Sequence, residues 1–324
     1  MPAEWSQHRF TLVSWPCRPK SWKGHIEPAK KDYVGVIRSV LEFEKVVVLA
    51  DPSTIDEAKS KVPGEADIVE VELDDSWIRD NGPIGISSPG GDAALVDFRF
   101  NAWGNKSTYS KDDAVPAFLA ERFGMRRYSS TMVLEGGAIS VDGHGTLLTT
   151  EQCLLNANRN PDLTRDEIVR HLRDYLGVVK VIWLGEGQAN DITDGHVDGV
   201  AGFFAPGKIM MACTKDESDP NYAVLRSNRE RLESETDSRG RSLEVMDIVQ
   251  PRPMMVEDVV VSPGYINHYV VNGGVVAPSF GIPEDRSALE TLQSAYPNRE
   301  VVSTSARYLE TGGGGIHCIT QQVP

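Results

Sequence analysis

Thr164-Arg-Asp-Glu-Ile-Val-Arg-His-Leu-Arg-Asp-Tyr-Leu-Gly-Val-Val-Lys-Val-Ile-Trp-Leu184 reads as one helix running directly into one strand. Thr164 and Glu167 have the spacing of a capping box, in which each side chain accepts a backbone N–H at the helix start. Ile168, Val169, Leu172 and Leu176 recur at helical spacing and form one apolar stripe. Gly177 stands where a helix commonly ends in left-handed backbone, and residues 178–184 are β-prone.

The same order recurs along the chain. Residues 31–43, with Val34, Ile37, Val40 and Leu41 in helical register, precede a valine-rich strand at 45–50. Helical patterns at 112–123, 222–232 and 284–295 are likewise followed by strand-like runs, those after the last two falling at 243–249 and 300–304. A second kind of segment alternates with these pairs: a polar or glycine-rich head leading into apolar strand, at 75–86, 135–150, 194–213, 265–279 and 312–321. The pattern predicts one α/β unit used five times, with negligible sequence identity between copies. In a ring of such units the five polar heads face one centre. No Ser/Gly/Pro-rich linker or shift in composition divides the chain, so residues 1–324 are expected to form a single domain.

With 33 Lys+Arg against 47 Asp+Glu the net charge is −14, which disfavours nucleic acid and anionic membranes as partners and suits a small cation. Cys17, Cys153, Cys213 and Cys318 form no CxxC pair and no zinc-ligand spacing with histidine. A reduced, cytoplasmic setting is expected, because no signal peptide or run of about 20 apolar residues is visible.

The polar heads carry the chemistry. Asp80 lies in Asp74-Asp-Ser-Trp-Ile-Arg-Asp-Asn-Gly-Pro83, Glu135 in Leu134-Glu-Gly-Gly137, and His196 with Asp198 in Thr193-Asp-Gly-His-Val-Asp-Gly199. Cys318 follows four glycines in Gly312-Gly-Gly-Gly-Ile-His-Cys-Ile-Thr-Gln-Gln322. Side-chain alternation in an extended strand puts His196 and Asp198 on one side and separates His317 from Cys318, so the base serving Cys318 is sought elsewhere in sequence. Four glycines before a thiol let backbone approach a ligand closely. Cys153 and Cys213 read as small buried hydrophobes, and Trp77, Trp103 and Trp183 as core, with Trp77 near enough to Asp80 to line a pocket. His8, His25 and His171 read as surface or boundary residues, His144 as a turn, and Asp74 and Asp75 as solvated loop acids. Asp194-x-His196-x-Asp198 also has the spacing by which ureohydrolases hold two manganese ions, but the second Asp-x-Asp run and the Gly-Gly-Asp-His segment they need are missing.

Taken together, these motifs resemble the agmatine deiminases of the guanidine-modifying, or pentein, superfamily, whose domain the bacterial-type peptidylarginine deiminases share. The resemblance runs from Ala3-Glu-Trp5 and Ser14-Trp-Pro16 through Trp77–Pro83, Asn101-Ala-Trp-Gly104, Leu134–Gly137, Leu154-Leu-Asn156, Asn158-Arg-Asn-Pro161 and Gly195-His-Val-Asp198 to residues 312–322. It implies a five-bladed α/β propeller with pseudo-fivefold symmetry around a central site. It implies Cys318 as nucleophile, His196 as general acid and base, and Glu135 as the group that pairs with a substrate nitrogen and orients the histidine. Asp80 and Asp198 are then guanidinium ligands, and Trp77 lies along the substrate.

The implied reaction is agmatine plus water to N-carbamoylputrescine and ammonia, with no cofactor and no metal. One position departs from the family. An acid that meets agmatine's ammonium is typical where Ile192 stands in Asn190-Asp-Ile-Thr193, so Asp191, Asp194 or Glu186 is expected to take over, or the substrate lacks an amine there. His268 is also atypical and within expected reach of the pocket. Remaining alternatives are a guanidino acid, alkylguanidine or arginine-derivative substrate, a manganese ureohydrolase, an amidinotransferase and a non-catalytic guanidine binder. A homodimer is open to an acidic protein of this kind.

Overall fold

The computed structural model describes residues 1–88, 90–189 and 191–324. Five sheets repeat one arrangement, in which a middle strand has an antiparallel partner on one side and a parallel partner on the other. Phe10–Ser14 lies between antiparallel Thr320–Val323 and parallel Val46–Ala50. Ala93–Arg99 lies between Ile84–Ser87 and Arg126–Val133, and Thr146–Thr150 between Ser140–Val141 and Lys180–Leu184. Lys208–Cys213 lies between Ala201–Ala205 and Glu244–Val249, and Gly274–Ser279 between Tyr269–Val271 and Glu300–Ser305. A parallel pair requires a crossover, and each is bridged by one of the helices Ile26–Leu41, Val115–Arg122, Arg165–Leu176, Tyr222–Ser234 and Glu284–Ala295. None of these sheets closes on itself among the described residues.

The helix at Arg165–Leu176 forms for the reasons its sequence gives. Thr164 and Glu167 make the reciprocal capping box, Ile168, Leu172 and Leu176 are buried, and Gly177 ends the helix at φ 70°. Thr164→Ala is expected to cost about 1 kcal/mol of stability, read as a lower urea midpoint with an unchanged slope. In the first unit the helix begins at Ile26 rather than Lys31, because Pro28 sits in the first turn, where its missing N–H has no helical partner to lose. Ala29, Tyr33, Val36, Ile37 and Val40 make its buried face. Val46–Ala50 is buried throughout, as a parallel strand covered on both faces must be.

Several elements lie outside the sequence reading, among them the middle strands Phe10–Ser14 and Ala93–Arg99. The polar seven-residue helix Ile55–Lys61 leads to Asp67–Glu70, which adds a fourth strand to the first sheet. A separate hairpin pairs Met254–Val256 with Val259–Val261. Both are too short for a periodicity to declare itself. No helix among the described residues is long and apolar enough to cross a membrane.

The polar heads enter the first, antiparallel strand of each sheet. Four contain a single tight turn, Ile78–Asn81, Gly136–Ala138, Val197–Gly199 or His317–Ile319, and the remaining one, at residues 265–268, is a loop. These turns correct the extended geometry assumed for 196–198 and 317–318. In a 3₁₀ turn adjacent side chains no longer alternate between two faces, so His317 and Cys318 are free to address the same neighbour.

Candidate active site

The turns bring three of the sequence-derived acids together around one imidazole. His196 Nδ1 lies 3.8 Å from Asp80 Oδ1 and 4.0 Å from Asp198 Oδ1, while its Nε2 lies 4.0 Å from Glu135 Oε2. Cys318 Sγ is 3.9 Å from Asp198 Oδ2 and 3.5 Å from Asn267 Oδ1. His196, Asp198 and Cys318 line one open cleft of about 420 Å³ with Asn267, Gly313, Gly314 and Gly315.

Two glycines make this convergence sterically possible. A Cβ on Gly137 would fall 2.6 Å from His196 Nδ1, 2.8 Å from Asp80 Oδ1 and 2.9 Å from Asp198 Oδ2. One on Gly314 would fall 2.7 Å from the Trp77 ring and 3.0 Å from Cys318 Sγ. Trp77 itself is buried, stacked on Trp22 with ring centroids 5.3 Å apart, and borders the glycine loop.

Each acid is held by a partner of its own. Asp80 accepts the Trp103 indole N–H at 2.9 Å and the Gly137 backbone N–H at 3.0 Å. Trp103, expected as plain core, therefore fixes a site carboxylate. Glu135 accepts Arg159 Nε at 2.6 Å, with both side chains fully buried, and its second oxygen has no hydrogen-bond partner among the described residues. Arg159 also donates to the Thr193 carbonyl, Asn158 and Asp194. Asp198 Oδ2 is 2.8 Å from His317 Nδ1, and His317 Nε2 is 2.9 Å from Glu4, which is also paired with buried Arg79 at 3.7 Å.

Burial and charge shift the titrating groups in opposed directions. Burial pushes the Cys318 thiol well above the usual range, and the Asp198 and Asp80 carboxylates push the same way. Burial opposes the charged form of His196, yet the Asp80 carboxylate and its other neighbours hold its pKa well above that of a free imidazole. Burial raises Asp80. Asp198 is lowered in spite of its burial, because His317 bonds to it and carries charge beside it. Both directions favour the protonated form, a neutral thiol and a charged imidazole.

Several expectations are corrected. Cys153 is fully buried, but it is also a site neighbour, with Sγ, a His196 ring nitrogen and a Glu135 oxygen all within 4.8 Å of one another, a donor set able to hold a metal ion. Asp194 bonds to Lys106, Asn158 and Arg159, so the Asp-x-His-x-Asp run does not converge as a metal cluster would. His268 is buried between the Tyr265 carbonyl and the Tyr296 hydroxyl, and lines a smaller cavity of about 60 Å³ behind Asp198 rather than the cleft. His8 is buried against Glu44 rather than exposed, and Asp75 is buried with Ser21 as partner rather than solvated. Asn190 lies outside the described residues.

Comparison with known proteins places the chain in a family. The Porphyromonas-type peptidyl-arginine deiminase family model matches residues 1–324, and the chain belongs to that family. Within it, the chain is similar to agmatine deiminases. The agmatine deiminase of Pseudomonas aeruginosa (strain LESB58) is 41% identical over 349 residues, covering 100% of this chain and 95% of that protein. A structure of the agmatine deiminase of Enterococcus faecalis superposes with a TM-score of 0.95 at 34% identity, covering 100% of this chain and 95% of that one. A C. jejuni agmatine deiminase with substrate bound superposes at 0.90 with 30% identity and the same coverage. A dimethylarginine dimethylaminohydrolase, at 12% identity and a TM-score of 0.58 over 98% of this chain and 100% of that one, shares the α/β fold.

Proposed function

We propose that the protein is a hydrolytic deiminase converting agmatine and water to N-carbamoylputrescine and ammonia. The observation that carries this reading is the convergence at the cleft, which Cys318, His196 and Asp198 line while Asp80 and Glu135 stand against the His196 ring. Full-length identity of about 40% to named agmatine deiminases supports the choice of substrate. The chain is read as one catalytic domain whose five sheets are blades around that cleft, and the repeated sheet pattern supports it.

A guanidinium is a planar cation with N–H donors in a fork, which Asp80 and Asp198 are suited to accept. Its charge offsets the carboxylates that hold the Cys318 proton, so the thiol ionises as substrate binds and the proton leaves to solvent. Sγ adds to the guanidinium carbon. The His196 imidazolium protonates one nitrogen, the C–N bond breaks, and ammonia departs from a covalent amidino-thioether. His196, now neutral, takes a proton from water, and the hydroxide adds to the same carbon. Collapse breaks the C–S bond, a proton is lost, and a ureido product and the Cys318 thiolate remain. Glu135, fixed by Arg159, accepts from the substrate and faces the far nitrogen of His196. Trp77 backs the glycine loop that walls the alkyl chain.

Incubating the protein with a panel of guanidines, with and without chelator, separates the alternatives. A deiminase releases ammonia and a ureido product and is indifferent to chelation, whereas urea release lost on chelation identifies a metal-dependent ureohydrolase. Transfer to an added amine identifies an amidinotransferase, and binding without turnover identifies a binder.

The raised thiol pKa gives a second test in the free protein. Below the pKa the thiolate fraction grows about tenfold per pH unit, so alkylation of Cys318 by iodoacetamide should climb at about that rate from about pH 6 to about pH 9 without levelling. A cationic haloamidine should react faster than its intrinsic reactivity allows, since it supplies the missing positive charge. Equal corrected rates for the two reagents, read by peptide mass spectrometry at Cys318, would show that the carboxylates do not govern the thiol.

A further inference from the structure

We propose that Glu310 forms a subsite for a primary ammonium in the cleft that holds Cys318, taking the place of the acid that is absent at Ile192. This rests on the deiminase reading above and adds to it the residue that would select a guanidine carrying an ammonium at the end of a short alkyl chain over one that lacks it. Glu310 lines the cleft together with Ile192, His196, Asp198 and Cys318. It stands in the short turn Leu309–Gly312, immediately before the glycines that carry the nucleophile. Ile192 meets that same loop, for a Cβ on Gly313 would fall 2.8 Å from its side chain.

The acids expected to meet the distal amine are occupied elsewhere or lie elsewhere. Asp191 accepts from the Thr193 hydroxyl at 2.5 Å and backbone N–H at 2.9 Å, from Gly195 N at 3.0 Å and from His196 N at 3.1 Å, which ties it to holding the histidine turn. Asp194 is neutralised by Lys106 at 2.7 Å and Arg159 at 3.0 Å. Glu186 does not line the cleft.

Glu310 differs from all three: among the described residues no basic side chain lies within ion-pair distance of it. The Gly264 backbone N–H is its one favourable neighbour, and burial drives its pKa well above the usual carboxylate range. A half-buried carboxyl that faces a cleft without a counter-ion is poised for a cation, because an arriving ammonium supplies the missing charge and favours the ionised form. The other ionisable groups of the cleft are Asp191, His196, Asp198, Cys318 and the exposed Lys23 at its rim. A guanidino acid would bring a second carboxylate to Glu310 and is disfavoured on charge.

The experiment compares agmatine with butylguanidine, which has the same guanidine and chain but no ammonium. In the wild type, agmatine should be preferred in kcat/KM. In Glu310→Gln that preference should fall about ten- to a hundredfold, mainly through KM for agmatine, as expected for removal of a charged partner. The double variant E310Q/I192E, which restores an acid in the same cleft, should recover part of it. An unchanged preference, or equal loss on both compounds, overturns the assignment. A wild type that releases ammonia from neither compound overturns the deiminase reading instead. Glu310 is then judged by titrating butane-1,4-diamine into the Cys318→Ser protein with and without E310Q: a loss of about tenfold in affinity supports the subsite, and no change rejects it.

Discussion

Cys318→Ser should release ammonia from agmatine at least about 10,000-fold more slowly than the wild type, while still binding the substrate. The hydroxyl is a far weaker nucleophile than the thiolate, and a pocket that already disfavours ionised sulfur will not ionise serine. The guanidinium ligands are untouched, so thermal stabilisation by agmatine should persist. Cys153 provides the control, because it too stands beside His196. Cys153→Ser should retain turnover within about tenfold, and acid quenching of the wild type during turnover should leave an amidino adduct on the Cys318 peptide alone. An adduct on Cys153, or turnover surviving in Cys318→Ser, rejects the mechanism.

Arg159→Met should be the most destabilising change near the site, at about 3–5 kcal/mol in urea unfolding. The guanidinium is fully buried and makes the 2.6 Å bond to Glu135, so its removal strands a charge with no water to solvate it. Arg159→Lys should not rescue, because one ammonium cannot reach Glu135, the Thr193 carbonyl and Asp194 in the fixed fork that arginine presents. Adding Glu135→Gln to Arg159→Met should recover much of the stability and none of the activity. The proposed role of Arg159 is positioning, and it shows in Arg159→Met assayed well below its unfolding temperature, where kcat should fall with KM for agmatine little changed, which a purely structural role would not produce. Should the double variant be no more stable than Arg159→Met, the stranded charge is not the cause.

The helices were legible where spacing and capping agreed. The 164–177 segment is the clearest case, since Thr164, Glu167 and Gly177 mark its ends as the structure has them. The residues that meet around His196 were visible because each sits in a short polar head with few other purposes. The supports of that site were not. Trp103 with Asp80, Arg159 with Glu135 and Glu4 with His317 are joined across 23, 24 and 313 residues, and local periodicity carries no record of such pairs. Trp103 and Arg159 stand inside motifs quoted for the family resemblance, yet only their hydrogen bonds reveal what they hold. Glu310 has no local signal at all: it precedes the glycine run as an ordinary polar residue. The alternation argument at His317 and Cys318 failed for a different reason, since those residues turn before they extend.

The separate origins of the cleft's parts bear on how such a protein can change. The groups proposed to react stand at the entrances to antiparallel strands of different sheets, whereas Ile192 and Glu310 belong to connecting segments that line the same cleft. Connecting segments tolerate substitution and insertion far better than strands in register. Descendants of this chain can therefore drift toward guanidines of another length or charge by altering those segments alone, with the bond-breaking groups inherited intact.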